Sequence, residues 1–194
     1  MSCLPGISTP WSLGWGTFCG LAGAAIYLTT GVRGRLEPVL LGQPFQLYVD
    51  FADSPLSLDR MLSAMRPAAR GRLLVMFGAT GRSDHGRAGM GRAAAEHTDF
   101  FVITTDDPVG EDPAELARCV EAGVDGRERG RDYEVVLDRR EAIRRVIGAA
   151  EPGDVVVLAG KGHEQTMMLA GGPVPWDDRA EAEVALRELG LATR

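Results

Sequence analysis

The chain has 194 residues, enough for one α/β domain with a sizeable core and a little more. Its 45% hydrophobic and 25% charged content is ordinary for a soluble protein, and the net charge of −6 argues against nucleic acid or an anionic membrane as main partner. Three cysteines (Cys3, Cys19, Cys119) fit neither a disulfide framework nor a metal clip, and His85, His97 and His163 are too scattered to predict a metal site.

Residues 1–30 are apolar, Gly-rich and uncharged. The stretch from Trp11 to Leu28 is marginal in length for a membrane span. No Lys or Arg precedes it, as a signal peptide requires, and Gly14, Gly16, Gly20 and Gly23 weaken a helix there. The segment is expected to be buried or poorly ordered, and the protein cytoplasmic. A short basic link follows, Gly31-Val32-Arg33-Gly34-Arg35.

From Gln43 onward, apolar runs alternate with amphipathic segments. Phe45–Val49, Leu73–Phe77, Phe100–Thr104, Tyr133–Leu137 and Val155–Ala159 predict strands, several of them continuous as in strands buried on both faces. Met167–Ala170 predicts an edge strand. Asp112 predicts an N-cap before Pro113, with Leu116, Cys119 and Val120 as the apolar stripe. Asp138 with Glu141, and Asp178 with Glu181, resemble capping boxes opening two further helices, and Gly190 closes the last. This alternation predicts an α/β fold, a mostly parallel sheet with helices on both faces and a possible antiparallel edge strand.

In such sheets, ligands gather beyond the carboxyl ends of the strands. That rule selects Asp50–Pro55, Gly78–Gly91, Thr105–Asp112 and Gly160–Glu164, the segments richest in Gly, Asp, Arg and His. In Gly160-Lys161-Gly162-His163-Glu164, Lys161 could meet a phosphate or carboxylate, Glu164 an ammonium, and His163 could act near neutral pH or simply orient a neighbour. A tight turn with solvated charges would carry the same residues. The Phe77–Arg87 segment matches neither usual phosphate-cradle pattern, although Arg82 and the backbone could still bind an anion. Asp106-Asp107-Pro108 could receive an amine or a ribose hydroxyl, or form an Asp-rich turn.

Taken together, these segments resemble the Mur ligases, in order and spacing, over roughly residues 31–190. Gly34-Arg35-Leu36-Glu37, Val49–Pro55, the Phe77–Gly91 loop, Asp106-Asp107-Pro108, Glu111-Asp112-Pro113, Gly160–Glu164 and Pro175–Arg179 carry the likeness. The resemblance is strongest to ligases that add the third residue, diaminopimelate or lysine, to UDP-muramoyl-dipeptide. It implies a Rossmann-like C-terminal domain at 43–194, with 1–42 as the tail of a central ATP-binding domain. It also implies ATP and Mg²⁺, and a peptide carboxylate activated as an acyl phosphate that the incoming amine attacks. The amino acid would then meet Asp106, Asp107, Pro108, Val109, Gly160 and Glu164, with Arg82 and Ser83. The nucleotide would meet Asp50, Phe51, Asp53, Asp84, Lys161 and His163. No catalytic residue and no metal ligand are assigned.

The departures bear on activity. Asp53 replaces the family's histidine, Ser83 aligns with its arginine, and Arg87-Ala88-Gly89 stands for Lys-Arg-Pro. Val109 occupies the place of the arginine that grips the distal carboxylate of diaminopimelate, which favours lysine. No Gly-Lys-Thr/Ser phosphate loop occurs in the 194 residues. Three roles follow: a ligase domain acting with other domains, a non-catalytic relic, or a binding module that works with a separate chain.

Overall fold

The computed structural model describes residues 32–81 and 86–193. These form strands β1 (Glu37–Pro38), β2 (Gln46–Asp50), β3 (Leu73–Ala79), β4 (Phe100–Thr105), β5 (Tyr133–Val135), β6 (Val155–Ala159), β7 (Thr166–Leu169) and β8 (Gly172–Pro175). The helices are α1 (Pro55–Met65), α2 (Arg87–His97), α3 (Pro113–Glu121), α4 (Arg139–Gly148) and α5 (Asp178–Glu188). The expectations for residues 1–31, including the N-terminal apolar segment, and for Arg82, Ser83, Asp84 and His85 lie outside the described residues. Among the described residues, no helix is long and apolar enough to cross a membrane.

One six-stranded sheet has the order β1-β2-β6-β3-β4-β5. Its central pairings are parallel, and only β1 runs antiparallel, beside β2. The continuous apolar strands follow from burial on both faces. Leu73, Val75 and Phe77 of β3 meet α1, α2 and α3, whereas Leu74 and Met76 meet α4 and α5. Val155, Val157 and Ala159 of β6 face the first set, and Val156 and Leu158 the second. Within residues 32–42, which the resemblance gives to the tail of a central domain, Glu37 and Pro38 join this sheet as β1, and Val39 is fully buried.

The helix signals are largely realised. Asp112 accepts from Ala114 N at 2.9 Å, and Asp138 from Glu141 N at 3.1 Å, with Gly190 left-handed beyond α5. Three readings change. Asp177, not Asp178, caps α5, accepting from Arg179 N and Ala180 N. Asp178 is the first helical residue and is fully buried, because Arg139 claims its carboxylate. Met167–Ala170 does not join the main sheet; β7 pairs with β8 in a separate hairpin, and the antiparallel edge belongs to β1. The Gly78–Gly91 segment is only partly loop, since Gly78 and Ala79 end β3 and Arg87–Gly91 begins α2. Glycine there serves close packing: a Cβ on Gly91 would collide with Val120 O of α3. Gly-rich composition reads as a turn until the neighbouring helix is known.

Arg139 is the first residue of α4, and its side chain is buried. It donates to Asp178 at 2.8 and 2.7 Å, to Thr105 O at 3.1 Å and to Ala159 O at 2.9 Å. One guanidinium thus joins the carboxyl ends of β4 and β6 to the start of α5. Burial works against the Arg139 charge, but paired Asp178 outweighs it and holds the group above its ordinary range. Asp178→Ala should leave this cation unpaired and cost about 3–5 kcal/mol in urea unfolding. A loss under about 1 kcal/mol, the worth of a surface pair, would contradict the assignment.

Candidate amino-acid and nucleotide site

Strands β2, β6, β3 and β4 are adjacent and parallel, so their carboxyl ends share one edge of the sheet. The polar segments of the sequence follow those four ends, and the structure brings them together there. Gly160 N donates to Asp50 O at 3.1 Å, and Gly81 N to Asp107 O at 2.7 Å. Gly160 has φ +113, and a Cβ there would collide with Asp106 Oδ2. Only glycine allows this approach of β6 to the end of β4.

The centre of the edge is a cluster of charges. Lys161 is fully buried. Its Nζ donates to Asp107 Oδ1 at 2.8 Å and to Glu164 Oε2 at 2.6 Å, and stands 3.9 Å from Asp106 Oδ1. Burial works against the ammonium, but the Asp107 and Glu164 hydrogen bonds outweigh it and raise its pKa. Lys161, expected to meet a phosphate or carboxylate and assigned by resemblance to the nucleotide, is paired in the structure with the carboxylates of Asp107 and Glu164. Asp106 is buried, and its Oδ2 accepts no hydrogen bond. Burial pushes Asp106 up from 3.8 to about 6, against the lowering pull of Arg139 and Lys161.

The other expected residues divide. Pro108 is buried and Val109 half-buried. Val109 sits at φ +49 and donates its N–H to Met168 O at 3.3 Å. A β-branched residue in that region is strained by about 1–3 kcal/mol, a state that clusters at ligand clamps. Asp50 has little left for a ligand, because Oδ1 accepts from Ala52 N at 2.9 Å and Oδ2 from Leu36 N at 2.8 Å. Phe51 has the Arg35 guanidinium over its ring, 4.9 Å from the centroid, and packs against exposed His163 with ring centroids 5.2 Å apart. Asp53 is exposed and lines a cleft of about 210 Å³ with Ser54, Pro55, Thr80 and Arg87.

Sequence reasoning missed Arg139 and the burial of Asp178. Their only sequence signals were a residue after an N-cap and an Asp-Asp pair after Trp176. It also treated the histidines as isolated, yet His97 Nε2 lies 2.8 Å from Asp59 Oδ1, with Glu96 beside them, where α1 meets α2. A larger cleft, about 530 Å³, is lined by Arg72, Arg131, Arg144 and Arg145 at the opposite end of the sheet. Each of those arginines is already paired with a carboxylate, so the cleft offers no free charge.

Residues 34–162 match the family described as Mur ligase, glutamate ligase domain. The chain belongs to the Mur ligase family. It is 38% identical over 170 residues to the UDP-N-acetylmuramyl-tripeptide synthetase of Roseiflexus sp. (strain RS-1), covering 86% of this chain and 33% of that protein. It is 41% identical over 169 residues to the UDP-N-acetylmuramoyl-L-alanyl-D-glutamate–2,6-diaminopimelate ligase of Syntrophomonas wolfei, covering 87% of this chain and 34% of that protein. A solved structure of a ligase of the latter kind superposes with TM-score 0.75 at 29% identity, over 88% of this chain and 36% of that one. This Mur ligase C-terminal domain thus spans about one third of the length of the relatives it matches.

Asp106 gives this domain a pH signature. Its folded pKa is raised, so the stability it contributes is full below pH 3.8 and lost as pH rises through about 6. Asp106→Asn should therefore gain on the wild type between pH 4 and 7, by about 3 kcal/mol at most. Urea unfolding of both proteins across that range checks it, and a constant difference would contradict it.

Proposed function

We infer that this chain is the amino-acid-binding, C-terminal part of an ATP-dependent ligase that adds the third residue to UDP-muramoyl-dipeptide. The observation that carries the reading is the convergence of Asp106, Asp107, Gly160 and Glu164 at one sheet edge, within a domain of this family. ATP activates the peptide carboxylate as an acyl phosphate when bound. The residues of this chain hold the incoming amino acid with its amine towards that carbon. Phe51 and exposed His163, with Asp53 at the start of α1, fit one side of the nucleoside. The triphosphate and Mg²⁺ are read as held by an ATP-binding domain, with residues 1–42 leading in from it. By resemblance, Arg82 and Ser83 remain candidates for the amino acid and Asp84 for the nucleotide.

Val109 offers no cation for a second carboxylate, whereas Asp107 and Glu164 favour an ammonium. Lysine should therefore bind more tightly than diaminopimelate in an NMR titration of the chain. Val109→Arg should raise diaminopimelate affinity roughly tenfold to a hundredfold, the worth of a charge-assisted pair. Tighter diaminopimelate binding by the wild type would overturn this specificity.

Phosphoryl transfer needs backbone amides, a Lys and Mg²⁺ placed around the β- and γ-phosphates. No motif in these 194 residues cradles a triphosphate. The 194-residue polypeptide alone should release no phosphate from ATP-Mg with muramoyl dipeptide and lysine. A sustained rate above the blank would show that the chemistry resides in this domain.

A further inference from the structure

An ammonium has three donors, and Lys161 directs two of them at different side chains, Asp107 and Glu164. Asp107 Oδ1 is fixed a second time by Met168 N at 2.9 Å. Each carboxylate is thus held through one oxygen. The other oxygens, Asp107 Oδ2 and Glu164 Oε1, accept nothing from any described residue. The two side chains remain 21% and 40% exposed, while that of Lys161 is 1% exposed. The lysine is buried beneath the pair, and the two carboxylates keep access to solvent.

The charges point the same way. Among the described residues, Arg139 is matched by Asp178, and Lys161 is the remaining cation set against Asp106, Asp107 and Glu164. The cluster stays negative after Lys161 is counted, so a further cation is attracted to it. Without Lys161, Asp107 and Glu164 would repel each other and separate.

We propose that Lys161 is a positioning residue that anchors Asp107 and Glu164 as a paired receptor for the side-chain ammonium of the incoming amino acid, and so sets the preference for a cationic over a neutral side chain. This rests on the reading that the amino acid binds at this edge. Lys161 itself does not touch the ligand. Its removal should erase discrimination by charge without erasing binding of the rest of the amino acid.

The test compares L-lysine with L-norleucine, which has the same carbon chain and no terminal ammonium, by NMR titration of the full 194-residue chain. The wild type should prefer lysine, with resonances of residues 106–109 and 160–164 moving. Lys161→Met should reduce the lysine-to-norleucine preference roughly tenfold or more, with norleucine affinity nearly unchanged. Lys161→Arg, which keeps the charge, should recover part of the preference. A purely structural role would weaken both ligands equally. An unchanged or increased preference in Lys161→Met would overturn the proposal. If Lys161→Met does not fold, the ammonium resonance of Lys161 in the wild type decides. It should persist and shift as lysine is added, and its release to solvent exchange would show a displaced plug instead of an anchor. Absence of any lysine binding by the wild type would remove the amino-acid site and this proposal with it, whereas binding with an unaltered preference would remove only the role of Lys161.

Discussion

The organisation of the proposed ligand edge depends on one buried ion pair, Arg139 with Asp178. A guanidinium presents five donors in a rigid fork, and this one makes four hydrogen bonds, two to a carboxylate and two to the terminal carbonyls of two strands. Thr105 and Ala159 are the last residues of β4 and β6, and strand β3 lies between those two strands. The pair therefore ties together the strand ends that launch Asp106–Val109 and Gly160–Glu164. Trp176 Nε1 also donates to Asp178 Oδ1 at 2.8 Å, which fixes the chain entering α5. A lysine could not make this set of contacts, because it lacks the planar fork.

Asp106 shows what the arrangement costs. Its carboxylate is buried 3.9 Å from both Arg139 and Lys161, outside hydrogen-bond range, with one oxygen unpaired. Gly160 closes the space above it. Strain at Val109 and an under-satisfied carboxylate thus occur within a few residues of one another. Such local violations are expected where a fold carries a ligand site instead of maximising its stability.

Much of this fold was legible in the chain. The continuous apolar runs at 73–77 and 155–159 could only suit strands covered on both faces, and the caps at Asp112 and Asp138 marked helix starts. The rule that ligands lie beyond parallel strand ends selected four segments, and those segments follow strand ends that share one edge of the sheet. What could not be read were pairings set by distant contacts. Asp178 looks like a cap because Asp at that spacing usually is one, and only Arg139, 39 residues earlier, makes it a buried counter-ion. Lys161 between two glycines could meet a phosphate or a carboxylate, and its pairing with Asp107 and Glu164 is visible only in three dimensions. Gly91 reads as a turn residue until α3 is placed against it. For Asp178 and Lys161 a tertiary charge pair overrode the local pattern, and for Gly91 the close packing of a neighbouring helix did.

Native-state hydrogen exchange on Asp178→Ala tests most directly whether this ion pair organises the site. The reporters at the ligand edge are the amides of Gly81, Val109, Gly160 and Glu164, each bonded to a backbone carbonyl. Those at the other end are Gln46, Asp99 and Val155, bonded to Asp154 O, Leu73 O and Arg72 O. The account predicts that the ligand-edge amides exchange roughly tenfold faster or more, beyond any change at the other three. Uniform acceleration of all seven amides, or none, would contradict it.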